Sequence, residues 1–334
     1  MAKFDLTGKH VWVAGHRGMV GSAIVRRLAR QNVSLQTVDR SALDLRSQPD
    51  VAAWVEAHRP QVVILAAAKV GGILANASYP ADFLEENLAI ELAVIGAAAH
   101  YGVEKLVFLG STCIYPKFAD QPIREEALLT GSLEPTNEWY AIAKIAGLKL
   151  AQAYRRQHGF DFISVMPTNL YGPNDNFDLE SSHVLPALLR KADDAKRSGA
   201  AAITVWGTGT PRREFLHVDD LADAVVFLTE NYSHEEHINI GTGEDVSIRD
   251  LARLVCDVVG FRGEIEFDAS KPDGTPLKCS DISRLRGLGW SPTIDLRTGL
   301  ERTYCWYLKN AGDLRLRRSD RVKVSQSRPN REIR

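Results

Sequence analysis

Short apolar stretches alternate with amphipathic stretches along the first half of the chain. The apolar stretches are rich in Val, Ile and Leu, which predicts buried β-strands at 10–14, 35–38, 62–68, 105–110 and 161–166. The stretches between them have the apolar period of helices, at 19–30, 49–58, 81–101 and 140–158. Since apolar strands separated by helices form parallel sheets covered on both faces, the pattern predicts an α/β, doubly wound fold.

The alternation changes after residue 172. Prolines and glycines break residues 173–312 into shorter elements, including a predicted helix at 184–196, which indicates a smaller, mixed C-terminal lobe. Within it, residues 213–241 resemble a strand and a helix that return to the main sheet. Residues 313–334 are rich in Arg and Ser without an apolar period, which predicts a disordered tail.

Composition narrows the class of protein. The 334 residues suffice for two lobes, and 45% hydrophobic with 25% charged residues is typical of soluble globular proteins. A net charge of −1 provides no field that would attract nucleic acid, so we expect a small-molecule partner. The start of the chain lacks a signal-peptide pattern, and no apolar stretch is long enough for a membrane helix, so we expect no membrane contact.

The four cysteines are far apart in the sequence and lack the short spacing of zinc or redox pairs. We therefore expect reduced thiols, no metal site and a cytoplasmic location. They are Cys113, Cys256, Cys279 and Cys305.

A glycine-rich turn separates the first predicted strand from the first predicted helix. In this context, its first glycine permits a tight turn, its second lets the backbone approach a pyrophosphate, and its third lets the helix pack closely on the strand. The turn consists of Gly15, His16, Arg17, Gly18, Met19, Val20 and Gly21. The spacing GxxGxxG resembles that of the short-chain dehydrogenase/reductase superfamily. It predicts a Rossmann-type dinucleotide-binding domain over residues 1–172 and a substrate lobe beyond it.

The residues after the second strand bear on which dinucleotide binds. Asp39 lies where a carboxylate would accept hydrogen bonds from a ribose hydroxyl, which favours NAD(H). Arg40 could instead pair with the 2′-phosphate of NADP(H), and Arg17 adds a second cation nearby. The two cations favour NADP(H), with NAD(H) still possible.

Three residues form a candidate reductase site. Tyr140 and Lys144 are four residues apart on a predicted helix, so their side chains share one face. A carbonyl that receives a hydride also needs a proton on its oxygen, which a tyrosine beside a cation can donate. Ser111 follows the fourth strand, where ligands of such folds bind, and could hydrogen-bond the same carbonyl.

Beyond these motifs, the sequence resembles the GDP-L-fucose synthase family, the epimerase-reductases of GDP-4-keto-6-deoxy-D-mannose. The resemblance extends over about residues 10–310. The segments that carry it are AGHRGMVGSAI, AAAKVGGILAN, YPADF, GSTCIYPK, LEPTNEWYAIAKIAG, VMPTNLYGPNDNF, SHVLPALLRK, WGTGTPRREFLHVDD and SKPDGTPLK.

The resemblance implies roles for further residues. Cys113 and His183 would be the acid/base groups that invert C3 and C5, although without the resemblance they are interpreted as a buried thiol and a helix cap. The substrate would contact Lys191, Trp206, Arg213 and Asp273. Lys191 stands where the family often has arginine, and Trp206 could equally be a core residue. The cofactor would contact Leu109, Gly110, Lys144, Pro167, Thr168, Asn169, Leu170 and His183.

Other functions remain open from the sequence. One is a sugar-nucleotide 4-epimerase or dehydratase that retains NAD, although a dehydratase usually has Asp-Glu in place of Thr112-Cys113. Another is a non-catalytic Rossmann-fold regulatory protein, which the intact Ser111, Tyr140 and Lys144 disfavour. By resemblance we also expect a homodimer formed through the helices at 81–101 and 140–158.

Overall fold

The computed structural model describes residues 3–271 and 273–326, with side chains up to residue 311. The strands are β1 His10–Ala14, β2 Ser34–Gln36, β3 Val62–Leu65, β4 Lys105–Leu109, β5 Asp161–Pro167, β6 Asn169–Tyr171, β7 Ala202–Trp206, β8 Arg212–His217, β9 Ile238–Ile240, β10 Asp245–Ser247, β11 Glu264–Asp268 and β12 Leu277–Lys278. The helices are α1 Met19–Leu28, α2 Gln48–His58, α3 Ile73–Ser78, α4 Pro80–His100, α5 Glu138–His158, α6 Val184–Ser198, α7 Val218–Asn231, α8 Ile248–Val259, α9 Ser283–Gly287 and α10 Leu296–Gln326.

The main sheet has six parallel strands in the order β2-β1-β3-β4-β5-β9. Its central strands are apolar at nearly every position because helices cover both faces. Apolar residues of α1 and α7 pack on one face, and those of α2, α4 and α5 pack on the other. The predicted doubly wound, Rossmann-type α/β fold is confirmed.

The second lobe contains smaller, mixed sheets. β8 pairs in parallel with β6 and β12 and antiparallel with β10, while β7 and β11 form a separate parallel pair. A third apolar core lies among α6, α8 and α10. The segment 213–241 is divided between the lobes: β9 completes the main sheet and α7 packs on α1, whereas β8 belongs to the small sheet.

The C-terminal helix is longer than the sequence pattern predicts. The backbone of α10 is helical through Gln326, so residues 313–326 continue a helix where disorder is expected from the sequence. Arg and Leu, which recur there, are good helix formers even without an apolar period. Residues 327–334 of the expected tail lie outside the described residues.

The strand order places the candidate site. β2 lies on one side of β1 and β3 on the other, so the direction of winding reverses at β1. In open parallel sheets, ligands bind in the crevice outside the carboxyl ends of the strands at such a reversal. The turns after β1, β2, β4 and β5, which hold most of the sequence-predicted cofactor residues, all lie at this edge, while Lys144 lies on α5 and His183 just before α6.

The packing of α1 on its preceding turn gives a testable prediction. A Cβ atom on Gly21 would lie 2.2 Å from the carbonyl oxygen of Gly15. We expect Gly21→Ala to lower the free energy of unfolding by about 1–3 kcal/mol, because the helix must move away from the turn. Urea denaturation of the unliganded protein measures this change.

The matched control is Gly96→Ala, inside α4. A Cβ there would meet its nearest neighbour, the hydroxyl of Tyr154, only at 4.0 Å. The greater helix propensity of alanine should leave its free energy of unfolding unchanged or raise it by up to about 1 kcal/mol. Equal behaviour of the two variants would contradict the packing argument.

Candidate active site

The glycine turn has the geometry that anion binding requires. Gly15 has a φ of 95°, and a Cβ on it would lie 2.7 Å from the backbone of Ala67, so only glycine fits. Gly18 precedes α1 in an extended conformation, and its face is open. No side chain caps the start of α1, so its backbone N–H groups remain for an anion. The turn therefore fits the pyrophosphate of a dinucleotide.

Two cations and one carboxylate follow β1 and β2. The guanidinium of Arg17 lies 2.6 Å from the carboxylate of Asp39, and Nε2 of His16 lies 3.3 Å from the same group. Arg40 is largely exposed and lies 3.9 Å from Glu86. Asp39 is thus engaged by its neighbours, whereas the largely exposed guanidinium of Arg40 can turn to a phosphate.

The other predicted cofactor residues follow β4 and β5. A Cβ on Gly110, next to Leu109, would lie 2.4 Å from the side chain of Met166, so the turn after β4 packs tightly on β5. After Pro167, the backbone N–H of Thr168 donates to the carbonyl of Ile240, and the side-chain amide of Asn169 donates to the carbonyl of Glu214. These bonds hold the backbone up to Leu170 at the sheet edge.

Ser111, Tyr140 and Lys144 lie together at this edge. Nζ of Lys144 is 5.9 Å from the centre of the Tyr140 ring, one helical turn away on α5. Burial raises the pKa of Tyr140 well above its usual value, assisted by the nearby Cys113 and Glu91, and the neighbouring Ser111 hydroxyl opposes part of that rise. The phenol is therefore protonated at neutral pH and can donate a proton to a ligand oxygen.

A buried carboxylate holds the ammonium of Lys144. Oε1 of Glu91, on α4, lies 3.1 Å from Nζ, and both side chains are almost completely buried. The ammonium also lies 4.8 Å from the centre of the Phe108 ring. Burial raises the pKa of Glu91, while the charge of Lys144 opposes that rise. Attraction on both sides of the ammonium fixes its position beside Tyr140.

Cys113 follows Ser111 in a short 3₁₀ turn, Thr112–Ile114. Its N–H donates to the Ser111 hydroxyl at 3.2 Å, which ties the two side chains to one rim. Its sulfur is partly accessible and accepts hydrogen bonds from Nδ2 of Asn137 at 3.4 Å and from Nζ of Lys278 at 3.5 Å. Donors around a sulfur stabilise a thiolate, unlike the apolar surroundings of an inert buried thiol.

His183 immediately precedes α6 but its side chain does not cap that helix. Its side chain is accessible from the cleft, although protein surrounds it closely enough to lower its pKa by desolvation, and the charge of Lys278 lowers that pKa further. The imidazole is therefore neutral at neutral pH and can accept a proton. Lys278 links it electrostatically to Cys113.

The four predicted substrate residues line the second lobe. Trp206 is 49% exposed, so it is not a core residue, and Nζ of Lys191 lies 5.3 Å from its ring centre. The carboxylate of Asp273 accepts the N–H of Thr208 at 2.7 Å and its hydroxyl at 2.9 Å, which holds the turn after Trp206. Arg213 donates to the Asp273 carbonyl at 3.4 Å and is close enough to Cys113 for their charges to interact.

Sequence reasoning did not identify two residues of this site. Glu91 lies in the apolar part of α4, between Ile90 and the stretch Leu92–Ala99, where an acidic residue is a signal of a buried partner. Lys278 is 165 residues from Cys113 and belongs to a two-residue strand, so only the fold brings them together.

Comparisons with known proteins agree with this geometry. Residues 11–241 match the model of the NAD dependent epimerase/dehydratase family. GDP-L-fucose synthase 1 of Arabidopsis thaliana is 63% identical over 90% of this chain and 93% of its own, and GDP-L-fucose synthase of Sinorhizobium fredii is 58% identical over 94% and 100%. The crystal structure of a GDP-L-fucose synthetase from Naegleria fowleri bound to NADP is 30% identical, with a TM-score of 0.85 over 93% of this chain and 98% of its own. The chain belongs to the NAD dependent epimerase/dehydratase family and, within it, to the GDP-L-fucose synthases.

Proposed function

We propose that this chain is an NADP-dependent epimerase-reductase that converts GDP-4-keto-6-deoxy-D-mannose to GDP-L-fucose. One observation carries the proposal: the acid/base candidates Cys113 and His183 share a cleft with the reductase set of Ser111, Tyr140 and Lys144. A simple reductase needs only the second set. The names of the close relatives support the same reaction.

Epimerisation comes first. A ketone at C4 of the sugar acidifies the protons on C3 and C5, because the resulting carbanion is delocalised as an enolate. One of Cys113 and His183 removes a proton from each carbon, and the other returns a proton to the opposite face. The neutral imidazole of His183 can accept a proton, and the thiol of Cys113 can return one to the opposite face, because the donors around its sulfur stabilise the thiolate that remains. The first inversion leaves an imidazolium and a thiolate, and the second inversion, with the roles exchanged, restores both groups to their starting states.

Reduction follows at the same carbonyl. Bound NADPH supplies a hydride to C4. Tyr140, protonated at neutral pH, donates its proton to the C4 oxygen, which Ser111 holds by a hydrogen bond. Lys144 stabilises the resulting phenolate, since its ammonium is fixed beside the ring by Glu91. One carbonyl thus serves both as acidifying group and as hydride acceptor.

The cofactor and the nucleotide sugar approach from opposite sides of the cleft. Residues 15–21 would bind the pyrophosphate of NADP(H), and Arg17 and Arg40 its 2′-phosphate. In the second lobe, Arg213 and Lys191 would bind the diphosphate of GDP, and the exposed face of Trp206 offers a flat apolar surface. Asp273 holds the turn on which Trp206 lies.

The location that we propose is the cytoplasm. No helix in the parts of the chain that the structure describes is long and apolar enough to cross a membrane. The four cysteines are all free thiols, which is typical of proteins in a reducing compartment.

The two chemical steps should be separable by mutation. Tyr140→Phe removes the proton donor, so we expect oxidation of NADPH to fall by about 10²–10⁴-fold while exchange of C3 and C5 protons with deuterated solvent continues. Cys113→Ser should abolish the exchange while NADPH still binds. Absorbance at the nicotinamide band and NMR of the sugar measure the two steps.

The same two variants define the contrary result. Normal exchange in Cys113→Ser would refute the role of the thiol. Loss of exchange in Tyr140→Phe would show that epimerisation also needs the phenol and that the steps are not separable.

Cofactor preference should depend on Arg40. Its guanidinium can form a charge-assisted contact with the 2′-phosphate, so we expect Arg40→Ala to raise KM for NADPH by about ten- to a hundredfold. KM for NADH, which lacks this phosphate, should stay the same and serves as the control. An equal rise in KM for both cofactors, or an unchanged KM for NADPH, would show that Asp39 or Arg17, and not Arg40, distinguishes NADPH from NADH.

We also propose that the chain forms a homodimer through the outer faces of α4 and α5. Leu92 on α4 and Ile142 on α5 are 47% and 42% exposed, although these helices pack together on the sheet. Sedimentation equilibrium should give twice the chain mass, and Leu92→Lys with Ile142→Lys should give the mass of one chain, because charges cannot be buried there unpaired. A single-chain mass for the unmodified protein would refute the dimer.

A further inference from the structure

A cation from the second lobe lies beside one acid/base candidate and within electrostatic reach of the other. Nζ of Lys278 is 3.5 Å from the sulfur of Cys113, and its charge also acts on the imidazole of His183. The three residues come from separate elements: the turn after β4, the start of α6, and β12. From this arrangement we infer that Lys278 is a positioning residue for epimerisation: its ammonium stabilises negative charge on the sulfur, so that Cys113 can return a proton as a thiol in one inversion and remove one as a thiolate in the other. The inference rests on the proposed role of Cys113.

The backbone around Lys278 is held firmly. β12 pairs in parallel with β8, with Lys278 opposite Arg213. The next two residues are also fixed: the N–H of Cys279 donates to the side chain of Gln121 at 2.9 Å, and that of Ser280 donates to the buried carboxylate of Glu214 at 2.9 Å. The ammonium is thus delivered to the sulfur by an anchored strand rather than by a mobile loop.

Lys278 is the better placed of the two cations near the thiol. Arg213 also interacts with the charge of Cys113, but its guanidinium donates to the carbonyl of Arg212 at 2.8 Å and to that of Asp273 at 3.4 Å. These contacts direct it to its own lobe. Nζ of Lys278 instead donates to the sulfur itself.

The other groups around the sulfur do not replace this charge. On α5, Tyr140 is a protonated, uncharged phenol near Cys113, and the carboxylate of Glu91 also acts on that phenol. Just before α5, the uncharged side-chain amide of Asn137 donates a hydrogen bond to the sulfur. On the rim, Ser111 accepts the N–H of Cys113, and on the α6 side His183 has a lowered pKa and is neutral. Glu134 interacts with Arg213 and offsets part of its charge.

The same cation serves both inversions. The field of Lys278 keeps His183 neutral, so that the imidazole can remove the first proton while the Cys113 thiol returns one to the opposite face. The resulting thiolate, stabilised by the ammonium, removes the second proton, and the imidazolium returns one. Removing the cation should therefore raise the pH at which Cys113 and His183 each lose a proton. A residue with a merely structural role would move neither.

The test is the alkylation of Cys113 by iodoacetamide as a function of pH, resolved by peptide mass spectrometry. Iodoacetamide reacts with the thiolate, so the pH of half-maximal rate reports where the thiol ionises. In Lys278→Met we expect this midpoint to rise by about one to two pH units, since an opposite charge at this distance is lost. Lys278→Arg, which keeps the charge, should stay within about half a unit of the parent.

Cys305 provides an internal control because it is exposed. Its midpoint should be the same in the parent and in both variants. An unchanged midpoint for Cys113 in Lys278→Met, in protein that still binds NADPH, would overturn the inference, as would an equal shift of Cys305.

A second measurement connects the charge to the reaction. Exchange of C3 and C5 protons at pH 7 should slow by at least about tenfold in Lys278→Met and recover as the pH rises. The alkylation result needs no substrate, so it stands or falls independently of the proposed function. A parent enzyme with no activity on the GDP-sugar would refute the function and leave the alkylation result in place.

Discussion

The close approach of α5 to α4 and β4 is the contact on which the site depends. A Cβ on Gly147, in the middle of α5, would lie 2.5 Å from the carboxylate of Glu91 and 2.6 Å from the ring of Phe108. Only a residue without a side chain lets the helix lie this deep. Lys144, one turn earlier, can then be buried between that carboxylate and that ring. A buried ammonium without a partner would cost several kcal/mol, so the packing and the charge pair depend on each other.

The two lobes contribute different chemistry. The parallel sheet supplies, at one edge, the turn for a dinucleotide and the residues Ser111 and Tyr140, which we propose to transfer a proton to a carbonyl oxygen. The second lobe supplies charge: Arg213 and Lys278 lie opposite each other on β8 and β12, and the ammonium of Lys278 reaches the sulfur of Cys113. Adding this lobe to the reductase edge lets one cleft perform carbon acid chemistry before reduction.

Much of the fold and part of the site follow from local sequence. The first strand is predicted with its observed bounds, and the pair Tyr140 and Lys144 shares a face because helix geometry sets that spacing. The contact between Glu91 and Lys144 joins two helices, and that between Lys278 and Cys113 joins two lobes. No local pattern encodes such pairs. The same limit applies to β8. It pairs in the small sheet and not in the main sheet because of partner strands elsewhere in the chain, which its own residues do not reveal.

The most direct test of the central claim follows the unmodified protein in deuterated water with GDP-4-keto-6-deoxy-D-mannose and NADPH. The account predicts GDP-L-fucose that carries deuterium at C3 and C5, with one NADPH oxidised for each product molecule. A product reduced at C4 without deuterium at C3 and C5 would make the chain a simple reductase. Inversion without consumption of NADPH would make it an epimerase. Either result would contradict a single cleft that performs both steps.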